Sequence, residues 1–492
     1  MTPIKRDFMV VSNRYKNLLR TGLKIVPAVL LLGVPAYAQD VEIYRQPPQA
    51  PAASSPVITD QLTLSQMLRM AYLNNPALNS GRADLLATQE ELPQAQAGWK
   101  PSVTADADVT NTNSDDGDSD ENNTSKGVGL TLTQPLYRGG RTMAESASAR
   151  AAITARSQLL RAQEQDIFEA VAIAYMDVVR DEALLELRRQ NQELQSRQLK
   201  ATRDRFEVGE LTKTDVSQSD ARLAGAEADV IDAQGNLNSS RATFEQVTGV
   251  TPGRLAPPDV KLAVPDSLAT VTTQAEQSSP LVLSAVSAHR ASENDVDGVY
   301  GELLPQVGLF AGVDRTYDPP SGLSDDRTDR NIGIEASIPL YEAGAVRSRV
   351  RQAKHVANSR YLDILDVKRR SREDAIRSWE DLQAARAQVK SREAQVEASR
   401  IAQEGVKQEA EFGARSVLDS LDADQELLDA QVALVSARRD EVVAQFSLLA
   451  TLGLLTPDVL GFGAETINLD SKLQKKERQY FDMDVDRVGN PG

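Results

Sequence analysis

The side chains best placed to do chemistry lie in EFGARSVLDSLD, residues 411–422, where Asp419 and Asp422 stand three residues apart just after Gly413. On a helix that spacing puts two carboxylates on one face. Clustered like charges repel one another and attract cations. Asp215 lies 204 residues before Asp419, in the related stretch EVGELTKTD. Ser416-x-x-Asp419 and Thr212-x-x-Asp215 have the spacing of a helix capping box, with Asp in place of Glu. Gly209 and Gly413 precede them as helix stops. A structural reading therefore covers Asp215 and Asp419 as caps. It does not cover Asp422 and Arg415, whose counterparts in the earlier stretch are Gln218 and Leu211.

Other chemistry finds little support. The 492 residues contain no cysteine, which removes thiolate catalysis, disulfides and cysteine zinc sites. The two histidines, His289 and His355, lie in charged helical surroundings and read as surface or seam residues. No nucleophile–histidine pair is evident, so neither an enzyme nor a metal or cofactor site is expected. The net charge of −16 is a poor match for nucleic acid. It is made more negative by removal of residues 1–38, which read as a signal peptide: six bases and one acid, an apolar run from Ile25 to Val34, and Ala36-Tyr37-Ala38 as a cleavage site.

The elements that must position these residues follow from an internal repeat. Pro76 and Pro280, Pro101 and Pro305, Pro135 and Pro339, Gly209 and Gly413, Asp215 and Asp419, and Gly249 and Gly453 are all separated by 204 residues. This implies two similar halves, 62–250 and 280–455, with 39–61 an N-terminal linker, 251–279 a Pro-rich inter-repeat linker and 456–492 a C-terminal tail. Each half holds two stretches of period-2 alternation, predicting strands at about 102–112, 127–136, 306–317 and 331–340. Val103, Ala105, Ala107 and Val109 alternate with Thr and Asp; Ile332, Ile334, Ala336 and Ile338 alternate with Gly, Glu and Ser. Strands of this kind suit a transmembrane barrel, with acidic, turn-rich tips between them; the alternative is a half-buried soluble hairpin in each half.

Each half also carries very long helices. Val216, Leu223, Val230, Leu237 and Phe244 repeat every seven residues, as do Leu421, Leu428, Val435, Val442 and Leu449. These are coiled-coil seams. The fold class is thus mainly α with transmembrane β. Four strands cannot close a barrel, and open edges are not tolerated in lipid. Three chains would supply about twelve strands, within the range of outer-membrane barrels.

With these features in place, the sequence resembles the TolC family of outer-membrane efflux and secretion channels, from about Leu62 to Leu460. QPLYRGGRT resembles the family's second-strand exit, and FGARSVLDSLDADQELLDAQVALVSARRDEV its second helical turn, closest to the branch serving type I protein secretion. The resemblance implies a homotrimer in outer-membrane lipid: a barrel with a periplasmic α-helical tunnel, coupled to a periplasmic adaptor and an inner-membrane ABC or RND transporter. It implies that Asp419 and Asp422 form carboxylate rings at a periplasmic aperture, and that Arg415 ties this gate shut through Thr214 and Asp215. The family's tyrosine constraint falls on Ala410, so part of that latch is missing. Gly209, Glu210, Lys213 and Gly413 would lie at the tip where an adaptor docks. A stand-alone porin would leave the heptads unexplained, and a periplasmic scaffold or adaptor the strands.

Overall fold

A computed structural model of the chain describes residues 62–115, 120–253, 255–256, 258, 262–318, 326–412 and 414–460. All belong to one of the two units into which the chain divides, Ser55–Gly492. The expected signal peptide, the 39–61 linker, Gly413 and the tail beyond Leu460 lie outside the described residues.

The elements follow one another as α1 Leu64–Asn74, α2 Pro76–Gln89, α3 Glu91–Gln96, β1 Ser102–Asp115, β2 Asp120–Arg138, α4 Arg141–Glu207 and α5 Lys213–Thr248, then α6 Leu268–Ser278, α7 Pro280–Tyr300, β3 Gln306–Tyr317, β4 Arg327–Ser337, α8 Ala345–Glu411 and α9 Val417–Thr451. The 204-residue offset is written into their bounds. α1 maps onto α6, α2 onto the start of α7, and α4 onto α8 residue for residue. The second half therefore opens at Leu268, and the stretch expected as a linker to residue 279 contains a helix. Its start is fixed by Ser267, whose side chain accepts from Thr270 N as Thr63 accepts from Gln66 N before α1. Val271 and Ala275, four residues apart, are fully buried on one face.

The four strands form one antiparallel sheet in the order β1-β2-β3-β4. Register puts the apolar rows on one face: Ala105 opposite Leu130, Leu130 opposite Val313, and Ala311 opposite Ile332. Ile332 is 78 % exposed and Val109 71 %. On the other face the row Asp106, Gly129, Asp314, Asp329 runs across all four strands. Here a Cβ at Gly333 would stand 2.6 Å from Phe310 Cζ, so this face has room for only small residues opposite large ones.

Two strand limits differ from expectation. β2 starts at Asp120, so most of the acidic stretch expected as a loop is paired, down to Asp115 opposite Asp120. Cross-strand bonds such as Asn111 Nδ2 to Thr124 Oγ1 (2.8 Å) carry the ladder beyond the apolar alternation. β4 begins earlier, at Arg327, and stops at Ser337, two residues short of Pro339, which has no N–H for a ladder.

α4 and α8 have 67 residues each, about 100 Å of helix. Both follow a left-handed turn: Gly139 and Gly140 before α4, Ala343 (φ 50°) and Gly344 before α8. α4 packs against α5, and α8 against α9. The main core gathers Phe168, Val171, Tyr175 and Val178 of α4 with Phe244 of α5 and Phe446 and Leu449 of α9. Leu455 and Leu460 are buried in it too, so the chain stays packed beyond α9. The Tyr175 hydroxyl is within hydrogen-bond distance of the carbonyls of Leu62 (3.0 Å) and Ala256 (2.5 Å), tying the start of the first half to the segment after α5. Gln165 donates to Leu455 O and accepts from Leu455 N, both at 2.9 Å. Among the described residues no helix is long and apolar enough to cross a membrane.

Candidate functional site

The predicted residues lie at the far ends of the two coiled pairs, α4–α5 and α8–α9. α4 ends in a Schellman arrangement: Gly209 N donates to Phe206 O and Glu210 N to Arg205 O, both at 3.0 Å. Gly209 has φ +82°, a left-handed conformation that a Cβ would oppose. At the end of α8 the matching bond is Ala414 N to Glu409 O, 2.9 Å.

Both α5 and α9 start with a complete capping box. Thr212 N donates to Asp215 Oδ2 (2.8 Å) and Asp215 N to Thr212 Oγ1 (3.3 Å). Ser416 N donates to Asp419 Oδ2 (2.9 Å) and Asp419 N to Ser416 Oγ (3.2 Å). Hydrogen bonds from the Thr212 hydroxyl and backbone hold the Asp215 carboxyl below its ordinary range. Bonds from the Ser416 backbone and hydroxyl do the same at Asp419, with a smaller contribution from Arg415. Both residues are half-buried, and their carboxylates are ionised above that range. The cap role read from their spacing is what the geometry contains.

Arg415 lies on the same turn, but within the chain its Nε donates to Glu409 Oε2 at 2.8 Å rather than to Thr214 or Asp215. Glu409 is six residues away and already at the helix end, so the guanidinium closes its own turn. Glu210 is similarly engaged by Arg205 (3.0 Å). Thr214 and Lys213 are exposed on the first turn of α5, and Ala410 lies in the last turn of α8. Asp422 is exposed but engaged: its Oδ1 accepts from Arg222 Nη2 of α5 at 2.5 Å. Asp419 and Asp422 thus share a helix face but differ in engagement, one as a cap and one in an ion pair between the halves.

Three features escaped the sequence reading. The first is Arg222, detectable only by asking which positions change charge between halves: Arg222 corresponds to Glu426 and Gln218 to Asp422. The second is a repeated ion pair just behind the tips. Arg203 pairs with Asp220 at 3.0 Å, and its counterpart Lys407 with Asp424 at 2.9 Å. Asp424 is buried and also accepts from Gln403 Nε2 at 2.6 Å, whereas Asp220 is exposed. The third is a pair of apolar side chains at the tips, Val208 (72 % exposed) and Phe412 (89 %), again 204 residues apart.

His289 lies in the α7–α8 seam, with Nδ1 3.1 Å from Ala357 O and its ring 5.8 Å from that of Tyr361. His355 is exposed. Among the described residues no group of acids and histidines is arranged to hold a metal.

Comparison with known proteins agrees with the repeat. The family model "Outer membrane efflux protein" matches twice, at residues 67–250 and 271–454, again 204 apart. The chain is 32% identical over 435 residues to the outer membrane efflux protein BepC of Brucella suis biovar 1, covering 87% of this chain and 94% of BepC. It is 26% identical over 423 residues to the outer membrane protein TolC of Vibrio cholerae serotype O1, covering 84% and 94%. The structure of the outer-membrane channel OprN superposes with a TM-score of 0.70 at 23% identity, covering 83% of this chain and 98% of OprN.

Proposed function

This chain belongs to the outer membrane efflux protein family, and on that premise we propose that three copies pool their sheets into one outer-membrane barrel that continues into a periplasmic helical tunnel. The carrying observation is the sheet: four strands, one continuous apolar face, and two unpaired edges at β1 and β4. Lipid accepts the face but not the edges. Edge-to-edge closure of three chains gives about twelve strands with the crowded polar face inward. The long helices then run away from the membrane, and the tips at 206–215 and 412–422 become the periplasmic end.

In this reading the protein is a passive exit duct. It carries solutes or a secreted protein delivered by an inner-membrane ABC or RND transporter through a periplasmic adaptor, and catalyses no reaction. The resemblance of the second tip to the type I secretion branch favours a secreted protein as cargo, and the similarity to BepC favours efflux. Val208, Phe412 and the exposed turn residues Glu210 and Lys213 supply a mixed apolar and charged tip, suited to adaptor hairpins. Repeated about a threefold axis, Asp419 and Asp422 surround the opening with carboxylates.

The reading is tested in detergent and in planar bilayers. Light scattering is expected to give three chains per particle; a stable monomer overturns the shared barrel. The wild-type channel is expected to prefer cations and to be blocked from the tip side by a trivalent cation. Asp419→Ala with Asp422→Ala is expected to abolish the block while trimers persist. The barrel row Asp106, Asp314, Asp329 adds its own cation preference, so the difference between wild type and variant is the quantity to read. Retention of wild-type block by the double variant overturns the carboxylate opening.

A further inference from the structure

Among the described residues two ion pairs join the first coiled pair to the second. One, Arg439 to Asp177 at 2.9 Å, lies at the core end of α9, next to buried Phe446, Leu448 and Leu449. The other is Arg222 to Asp422 at the tip. The core end of α9 is thus fixed by burial, while its tip end is joined to α5 by one ion pair between partly exposed side chains. An exposed pair contributes little and is readily parted. Arg222 also adds a positive charge against one of the two carboxylates that would line the opening.

We infer that Arg222 controls the periplasmic opening by tying the tip of α9 to α5 through Asp422 and masking that carboxylate from the pore. The inference rests on the aperture reading above. Movement of α9 away from α5 parts the pair, so opening and the unmasking of Asp422 are one event. The repeat supports a dedicated role. The first half carries Gln218 and Arg222 where the second carries Asp422 and Glu426, so the two tips are complementary instead of alike. Each exposed pair shifts an equilibrium by a factor of about 1.4 to 5, and three parted together by about 3- to 150-fold.

The test compares single-channel records of wild type, Arg222→Gln, Asp422→Asn and the exchanged pair Arg222→Asp with Asp422→Arg. Arg222→Gln breaks the tie and bares Asp422, so both the open fraction and the cation preference are expected to rise. Asp422→Asn breaks the tie but removes the charge, so the open fraction rises without a gain in cation preference. The exchanged pair is expected to return the open fraction toward wild type. Wild-type behaviour of both single variants, or an exchanged pair as open as the singles, overturns the inference. Asp419→Ala, which leaves the pair untouched, separates the two levels. If it weakens trivalent block while Arg222→Gln changes nothing, the aperture stands and the Arg222 tie falls. If it and the double alanine variant leave block unchanged, the aperture reading falls first. Trimer recovery after each substitution excludes misfolding as the source of a change.

Discussion

Asp424 and Asp220 are one position seen twice, and truncating each to alanine separates burial from charge. Asp424 accepts from Gln403 Nε2 at 2.6 Å and pairs with Lys407 Nζ at 2.9 Å, with only 5 % of its side chain accessible. Both bonds end on the Asp424 carboxylate, and a hydrogen bond to a charged group contributes about 1.5 kcal/mol at the low end of its range. Asp424→Ala should therefore weaken the α8–α9 tip by about 3 kcal/mol per chain. Asp220 pairs with Arg203 at 3.0 Å with both groups more than half exposed. Such a pair contributes about 0.2–1 kcal/mol. The gain in helix propensity from Asp to Ala is common to both positions and cancels in the comparison. Hydrogen exchange reads local opening directly. In the regime where opening is fast and reversible, amides near 400–430 should exchange roughly 150-fold faster in Asp424→Ala, and those near 200–225 no more than about 5-fold faster in Asp220→Ala. Equal effects at the two tips would refute the argument that burial, and not charge pairing, makes the second tip the firmer one.

Two further substitutions test the frame. Ala343 occupies a left-handed turn (φ 50°) where its counterpart is Gly139; Ala343→Gly should raise stability by about 1 kcal/mol, seen as a higher melting temperature, and a fall would show the turn to be unstrained. Glu164 of α4 is pushed by burial from 4.5 to about 7, opposed by Arg82 and Arg161. Its folded-state pKa is raised, so the folded protein binds the extra proton: stability is greatest below about 4.5 and falls as pH rises through about 7. Glu164→Gln should remove that slope and leave the protein more stable at pH 8 by up to about 3 kcal/mol, measured as denaturation midpoint against pH; a slope unchanged by the substitution would exclude Glu164 as its source.

The strands and the coiled seams were legible because each shows its own period. Val103 to Val109 alternate by two, and Leu421 to Leu449 recur by seven, so both elements announce which face is apolar. Their limits were less so. The ladder from Asn111 to Asp115 against Asp120 to Thr124 is polar on both faces, and backbone pairing leaves no mark in hydropathy there. Leu268 was missed as the start of the second half because the neighbouring prolines suggested a linker, although Thr63 and Ser267 were already in matching cap positions. At the site, the caps at Asp215 and Asp419 could be read because a capping box is local. Arg222 and Asp422 are 200 residues apart, and no local pattern connects them. Arg415 could be singled out because its counterpart is Leu211, but its bond to Glu409, six residues earlier across the helix end, has no such mark.

The charge exchange between the halves has a physical rationale in the proposed trimer. A duplicated chain with identical tips would surround the opening with six equivalent segments. If each carried the acids of the second half, neighbouring α5 and α9 helices would face one another with like charges, and repulsion would spread the tips apart. If each carried Gln218 and Arg222, the opening would lose the Asp422 carboxylates and keep only those of the caps. Placing Arg222 in one half and Asp422 in the other lets every α9 face a complementary α5. The surrounding frame keeps its duplicated form: equal 67-residue helices, matched capping boxes, and apolar residues at the same strand positions. The repeat can thus keep the length and direction of the tunnel common to both halves, while substitutions at the tips, Gln218 against Asp422 and Arg222 against Glu426 among them, reduce a nearly sixfold tip to a threefold one. That reduction lets α9 be released from α5 without disturbing the cap that starts it, because the cap is closed by Asp419 and the tie by Asp422, one helical turn apart.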